Sequence, residues 1–376
     1  MPPERAISVT ARRSSGSLAD VGRRAGVSIT TASRVLNGSS HPVSDATRER
    51  VLEAARELGY SPSALARALV TRRSRIIGVI VGDIVDAYFA EITRGVEDVA
   101  GRAGYMTFVC NADRRTEVEI DQLAVLSDYQ AEGVIFAGSG YLDDPLGADL
   151  ATAVERARER GISVLALALR DFDCPRIVAD NRGAAYDITD YVLSLGHRRV
   201  AYISGPAGLY ASRDRLAGFR EAASDAGIET ELVYEGNFSY EQGYAATLQM
   251  IAEDELPEAI IGANDETALG ALAALRQARL EVPGRVSVAG MTDTRLARFS
   301  DLTTVSVPVY QFGAAAARRI VSGESSPAET VLPHRVVPRS TTARRRPGAG
   351  GANSSARSGR APSSAAARSP AGPARD

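Results

Sequence analysis

The chain has 376 residues, of which 44% are hydrophobic and 24% charged. That length allows two or three domains with a sizeable core, and the composition is that of an ordinary soluble globular protein. No apolar stretch reaches the roughly 18 residues that would mark a membrane-spanning helix, so no segment is expected to span a membrane.

The formal net charge of −2 hides an asymmetry. Residues 1–75 carry an excess of seven positive charges and residues 341–376 an excess of six, whereas residues 76–340 carry an excess of fifteen negative charges. A basic head on an acidic body is the charge layout of a nucleic-acid binder whose body has a second task. All 44 basic residues are arginine, which with so much alanine and glycine reflects a GC-rich coding sequence rather than function. Cys110 and Cys174 show no CxxC or metal spacing and read as core residues. His41, His197 and His334 are too few and too scattered for a metal site, and no cofactor is expected. The first residues contain no apolar run of a secretory signal, so the expected location is the reducing cytoplasm.

Residues 1–16 are polar and irregular, an expected disordered leader. Ser17 and Asp20 have the spacing of a capping box, in which each satisfies a free N–H at a helix start. Leu18, Val21 and Ala25 then fall on one helical face. Gly26 stands where the chain must turn sharply. Ser28 caps a second helix, Ile29 to about Asn37, with Ala32, Val35 and Leu36 inward. Ile29, Thr30, Ser33, Arg34 and Asn37 remain outside, a surface suited to a DNA groove. Asn37-Gly38 closes this helix. Ser44 caps a third helix to Leu58, with Val51, Leu52, Ala55 and Leu58 as its stripe and Gly59 as its end. A unit this small buries little core and is marginally stable alone.

The string from Leu18, Asp20 and Val21 through Ala25-Gly26-Val27-Ser28, Thr31, Ser33-Arg34-Val35-Leu36-Asn37, Val43-Ser44, Thr47-Arg48, Val51, Ala55, Leu58-Gly59-Tyr60 and Pro62 resembles the DNA-binding head of the lactose-repressor (LacI/GalR) family. The resemblance implies a helix-turn-helix head at 17–60 whose second helix enters the major groove. On that pattern Ile29, Thr30 and Arg34 read bases, and Arg34 could fork onto guanine, a contact worth roughly 1–3 kcal/mol of discrimination. Thr31, Ser33, Asn37, Ser44 and Thr47 suit phosphate positioning. Residues 61–75 resemble the family's hinge helix and linker, with Ala66 and Leu69 at the DNA and Leu69 as a minor-groove wedge. Such a short helix does not persist alone, because nucleation is costly.

The body, 76–340, begins with the apolar run Ile76 to Val81, as a strand buried on both faces requires. Further strands are expected at Tyr105–Cys110, Gly133–Ala137, Ile162–Ala168, Arg199–Ser204, Leu232–Tyr234, Ala259–Gly262 and Val286–Ala289. Helices are expected near 88–103, 117–129, 146–160, 183–195, 213–226, 240–253, 265–278 and 309–321. Alternation of this kind predicts parallel sheets with helices on both sides, an α/β class. The resemblance implies a two-lobed, periplasmic-binding-protein-like body of two parallel-sheet subdomains. It places the crossings between them near Ala168–Arg170, Met291–Thr292 and Val307. Residues 341–376, rich in Arg, Ala and Ser, are expected to be a disordered tail.

The same resemblance implies a small-molecule effector in the cleft, at the C-terminal ends of the strands. Its expected contacts are Tyr88, Phe89, Arg215, Phe238, Asn264, Asp265, Thr292 and Asp293. Aromatic faces would stack on a ring while charged groups hold hydroxyls or an anion. The chain departs from the family where an Asp is common and Ala168-Leu169-Arg170 stands. It departs again in Gly290-Met291-Thr292-Asp293, where Gly-Tyr-Asp-Asp is common, and at Val307, where Gln is common. These departures predict a cleft short of hydrogen-bonding groups, for a larger, more apolar, modified or anionic ligand, or a degenerate site. The expected partners are a double-stranded, near-palindromic operator, a sugar or related metabolite, and a second copy in a homodimer, or a tetramer. A transporter's solute-binding protein would have the same body but an export signal and no head. An enzyme reading finds only Ala137-Gly138-Ser139-Gly140, which lacks both phosphate-loop spacings.

Overall fold

The computed structural model describes residues 16–37, 41–60, 74–228, 232–323 and 328–345. The proposed hinge residues Ala66 and Leu69, with the leader to residue 15 and the tail from 346, lie outside the described residues. The head holds three helices, α1 (Leu18–Ala25), α2 (Ile29–Leu36) and α3 (Asp45–Glu57). The capping box forms as read: the Asp20 N–H donates to Ser17 Oγ at 3.2 Å and the Ser17 N–H to Asp20 Oδ2 at 2.9 Å. Gly26 adopts φ 67°, the left-handed conformation its turn requires. Val21, Ala25, Ala32, Val35, Val51, Ala54 and Ala55 form the head's core. Leu52 does not join it and is 43% exposed. With Val51 and Ala55 inward, Ala54 lies beside them on the helix while Leu52 is turned about a quarter of the way round.

The body then runs β1 (Ile76–Val81), α4 (Ala87–Arg102), β2 (Met106–Asn111), α5 (Thr116–Asp128), β3 (Gly133–Phe136), α6 (Gly147–Glu159), β4 (Ser163–Ala166) and β5 (Arg176–Ala179). It continues through α7 (Asn181–Ser194), β6 (Val200–Ile203), α8 (Tyr210–Asp225), β7 (Leu232–Tyr234), α9 (Tyr240–Ala252), β8 (Ala259–Gly262) and α10 (Asp265–Gln277). The last elements are β9 (Ser287–Thr292), α11 (Arg295–Phe299), β10 (Thr303–Ser306), α12 (Val309–Ser322), β11 (Glu329–Leu332) and β12 (Arg335–Val337).

These strands make two six-stranded sheets, ordered β11-β5-β4-β3-β1-β2 and β12-β10-β9-β8-β6-β7. Every pairing is parallel except β10 with β12. The chain therefore passes between the lobes after Ala179, between Ser306 and Val309, and between Leu332 and Arg335. The passage near Val307 is where the sequence put it. The other two are not. Ala168–Arg170 leads to β5 within the first lobe, and Met291–Thr292 completes β9 within the second. Residues 341–345 are also packed rather than tail: the Val288 N–H donates to Thr341 O at 2.8 Å and the Arg345 N–H to Leu195 O at 2.9 Å.

Helices α4 and α12 cross through two glycines. A methyl at Gly95 would overlap the Tyr310 carbonyl, and one at Gly313 the Ile92 carbonyl. Because α12 arrives from the second lobe, this contact seats one passage between the lobes. We expect Gly313→Ala to push the helices apart and cost about 1–3 kcal/mol, read as a lowered urea midpoint. An unchanged midpoint would mean that the pair slides freely.

Candidate nucleic-acid interface and effector cleft

Ser28 fixes the start of α2. Its Oγ accepts the Thr31 N–H at 3.1 Å and lies 2.9 Å from Thr31 Oγ1. Ala32 and Val35 are thereby turned into the core, and Ile29, Thr30 and Arg34 out of it. Ile29 is 54% exposed, and among the described residues Arg34 has no ion pair. The expected phosphate-side groups engage one another locally. Asn37 Nδ2 donates to Ser33 Oγ at 3.1 Å, and Ser44 Oγ donates to Thr47 Oγ1 at 2.9 Å. Their remaining donors and acceptors leave capacity for phosphate oxygens.

Between the lobes lies a cavity of about 90 Å³ at the C-terminal ends of the strands. Of the eight residues expected there, Tyr88, Phe89, Arg215, Phe238, Asn264, Asp265 and Thr292 line it. Asp293 does not. It pairs with Arg339 at 2.5 Å and with Arg298 at 3.8 Å, holding the end of β9 to the C-terminal segment. Tyr88 and Phe89, adjacent on α4, meet the cavity as an edge-to-face pair, and burial pushes the Tyr88 hydroxyl up to about 12.

Arg215 is 8% exposed. Its Nε donates to Asn181 Oδ1 at 2.8 Å and an Nη to Ala263 O at 2.6 Å, and its guanidinium lies 5.5 Å from the Phe238 ring. No carboxylate pairs with it among the described residues, which leaves its charge to a ligand oxygen. Asn264 caps α10 through the Thr267 N–H at 2.9 Å and donates to Phe238 O at 2.8 Å. That bond meets Phe238 at φ 70°, and Thr292, on the same lobe's wall, sits at φ 117°. Two non-glycine residues in such conformations at one cavity are strain concentrated at a site.

Asp265 is a strut. Oδ2 accepts from Thr292 Oγ1 at 3.0 Å, Thr294 N at 2.7 Å and Thr294 Oγ1 at 2.9 Å, while Oδ1 accepts from Thr304 Oγ1 at 2.6 Å. Burial nevertheless pushes its carboxyl up to about 6. Its lone pairs are committed to tying α10 to β9, β10 and the loop between them.

The expectation of a cleft poor in hydrogen-bonding groups is not met. Arg170, at the departure from the family's aspartate, makes a two-pronged buried ion pair with Glu119 and donates to Gly138 O at 3.1 Å. Its guanidinium also lies 5.1 Å from the Phe136 ring and 5.4 Å from that of Phe172. Arg114, Asp86, Ser139 and Glu266 add further polar groups to the lining. The glycine-rich turn that failed as a phosphate loop is part of this wall. Ser139 Oγ accepts the Ala211 N–H at 3.2 Å, and Gly140 O the Tyr210 N–H at 3.1 Å, joining the lobes. Sequence periodicity carries no signal for such groups, because they sit in loops or at helix starts and gain their partners from distant parts of the chain.

The family described as bacterial regulatory proteins, lacI family, matches residues 17–63, and a periplasmic binding protein-like domain matches residues 189–342. The HTH-type transcriptional regulator RegA of Clostridium saccharobutylicum is 34% identical over 337 residues, 87% of this chain and 99% of its own. The chain belongs to the lacI family. As a lacI-family protein it is a DNA-binding transcriptional regulator with a periplasmic-binding-protein-like effector domain, and not an enzyme. A structure of the lac repressor dimer bound to operator and the anti-inducer ONPF matches with a TM-score of 0.75 and 26% identity, covering 87% of this chain and 99% of the other. A complex of the transcriptional regulator CelR with cellobiose matches with a TM-score of 0.62 and 29% identity, covering 87% of this chain and 99% of the other. Among the described residues no helix could cross a membrane, and no cluster of metal-binding side chains occurs.

Removing Asp265 should loosen the cavity wall that it lines and braces. We expect Asp265→Ala to strand the donors of Thr292, Thr294 and Thr304 and to cost about 3 kcal/mol or more, read by urea unfolding. A loss below about 1 kcal/mol would show that water replaces the carboxylate.

Proposed function

We propose that this regulator represses transcription as a homodimer on a near-palindromic operator in the cytoplasm, with the interlobe cleft taking a small polyhydroxylated or anionic metabolite. The observation that carries the reading is the pairing of two surfaces. Ile29, Thr30 and Arg34 stand outside a head whose core is complete without them, and Arg215 lines a closed cavity beside aromatic rings with no carboxylate partner among the described residues. Ile29 and Thr30 suit apolar contact with thymine methyls and Arg34 a guanine edge, with Thr31, Ser33, Asn37, Ser44 and Thr47 at phosphates. Ala66 and Leu69 are the proposed hinge contacts in the minor groove. The relatives' ligands support the effector class: ONPF in the lac repressor and cellobiose in CelR.

The dimer is supported by apolar side chains that the described residues leave exposed. Val85 is 83% and Phe299 72% exposed. They belong to the segments joined by Glu91, whose carboxylate accepts the Arg295 N–H at 2.7 Å and pairs with Arg298 at 3.2 Å. A dimer would present two α2 helices to half-sites about one helical turn apart. An effector can release the operator only by binding one lobe arrangement better than the other.

We expect Arg34→Ala to erase preference for the operator over random DNA while leaving weak, salt-sensitive binding, measured by fluorescence anisotropy at several salt concentrations. Retained preference would overturn the assignment of α2 as the reader. Operator release screened against sugars, sugar phosphates and related metabolites tests the cleft. The expected hit is an oxygen-rich compound whose effect Arg215→Met abolishes; silence across the panel would favour a regulator with a degenerate site.

A further inference from the structure

We propose that closing of the cleft is coupled to proton uptake at Glu266, which reaches from the second lobe to the first turn of α4. The proposal rests on the reading of the cleft as the effector site and concerns its regulation. Glu266 stands in the first turn of α10 and lines the cavity. Its Oε1 accepts the N–H of Ala87, the first residue of α4, at 3.4 Å. Asp86, the cap of that same helix, accepts the Tyr88 N–H at 2.9 Å. Carboxylates from opposite lobes thus converge on one helix start. The partial positive charge there accommodates a carboxylate, but two ionised ones in a closed, desolvated cleft repel.

The surrounding charges do not relieve this. On the first lobe Asp83, Asp86 and Arg114 face Glu266, and Arg114 is already shared between Asp83 at 3.3 Å and Asp86 at 3.5 Å. On α10 itself, Asp265 is turned away into the hydroxyls of Thr292, Thr294 and Thr304. Arg215 on α8 acts on Asp86 and is held by Asn181 and Ala263. Burial, followed by the nearby Asp86, pushes Glu266 up to about 7 from an ordinary 4.5, against the pull of the Ala87 N–H and Arg114. Burial also raises Asp86, in the same sense.

Opening the cleft returns Glu266 to water and its carboxyl to its ordinary range. The closed form therefore binds the proton more tightly than the open one. Acidification from above 7 toward 4.5 favours closing, and a rise of pH through about 7 disfavours it. The other contacts across the cleft do not set two carboxylates against each other; one is the Tyr210 hydroxyl donating to Asp171. Leu142 N–H donates to Gly208 O at 2.6 Å and Tyr210 N–H to Gly140 O at 3.1 Å, both backbone bonds. Glu91, with Arg295 and Arg298, closes the other side. Glu266 is the adjustable contact among them.

His334, in the passage between β11 and β12, lies 3.0 Å from Asp187 and serves as the control position. The test uses the full chain without ligand, with Cys110 and Cys174 changed to Ser and fluorophores placed through Ala148→Cys on α6 and Ala245→Cys on α9. Energy transfer between them reads the ratio of closed to open cleft. We expect that ratio to rise on the order of tenfold from pH 8 to pH 6. Glu266→Gln keeps the acceptor but not the charge, so it should show the acid ratio at both pH values, whereas His334→Gln should respond like the parent. A parent ratio that ignores pH, a response that survives Glu266→Gln, or one that His334→Gln removes would each overturn the proposal. No ligand enters the measurement, so its failure is distinct from a failure to find an effector.

Discussion

The two lobes share three passages of chain, and much of the molecule's behaviour follows from that constraint. Each passage is one or two residues long, between elements that belong to different lobes. Three short tethers hold the lobes against sliding or separating, yet they leave the angle between them as the soft coordinate. On the proposed reading, a ligand in the cleft would act on that angle because it would touch both walls at once. The close crossing of α4 and α12 through Gly95 and Gly313 keeps one tether from adding slack of its own.

The cleft is rigid where the lobes' own walls are concerned and adjustable where they meet. Asp265 locks the wall of the second lobe by serving four donors from three stretches of chain. Arg170 and Glu119 lock that of the first, since a paired guanidinium between two aromatic rings has little freedom to move. A buried pair of this kind is weak evidence for stability but strong evidence for a fixed geometry. Across the gap the contacts are mostly single hydrogen bonds, such as Ala87 to Glu266 and Ala211 to Ser139. On the proposed reading, a ligand would meet preorganised walls and would change only how they face each other.

The head obeys the opposite economy. Its core is seven small and branched side chains, and its readers add nothing to that core. On the proposed reading, binding specificity and folding fall to different faces of α2. That separation lets the reading residues vary without loss of the fold, and leaves orientation of the head to the segment that joins it to the body.

Much of this was legible in the chain. Capping residues at Ser17, Ser28 and Ser44, each followed by apolar residues at helical spacing, placed the head's helices to within a residue, because caps and periodicity are local. The long apolar strands and amphipathic helices of the body were equally plain. Four strands were not. β5 is only four residues long, β11 and β12 are edge strands, and β10 is Thr303-Thr304-Val305-Ser306, which reads as polar. It is buried only because Asp265, Thr341 and Thr342 satisfy its threonines from distant parts of the chain. The same holds at the site. Family resemblance indicated Arg215 and Phe238, but that Asp293 would turn to Arg339, that Arg170 would close on Glu119, and that Glu266 would cross to α4 depended on partners remote in sequence. Local chemistry determined the helices and the reading face; the pairing of buried charges, which is a long-range balance of desolvation against contact, was decided only by the tertiary structure.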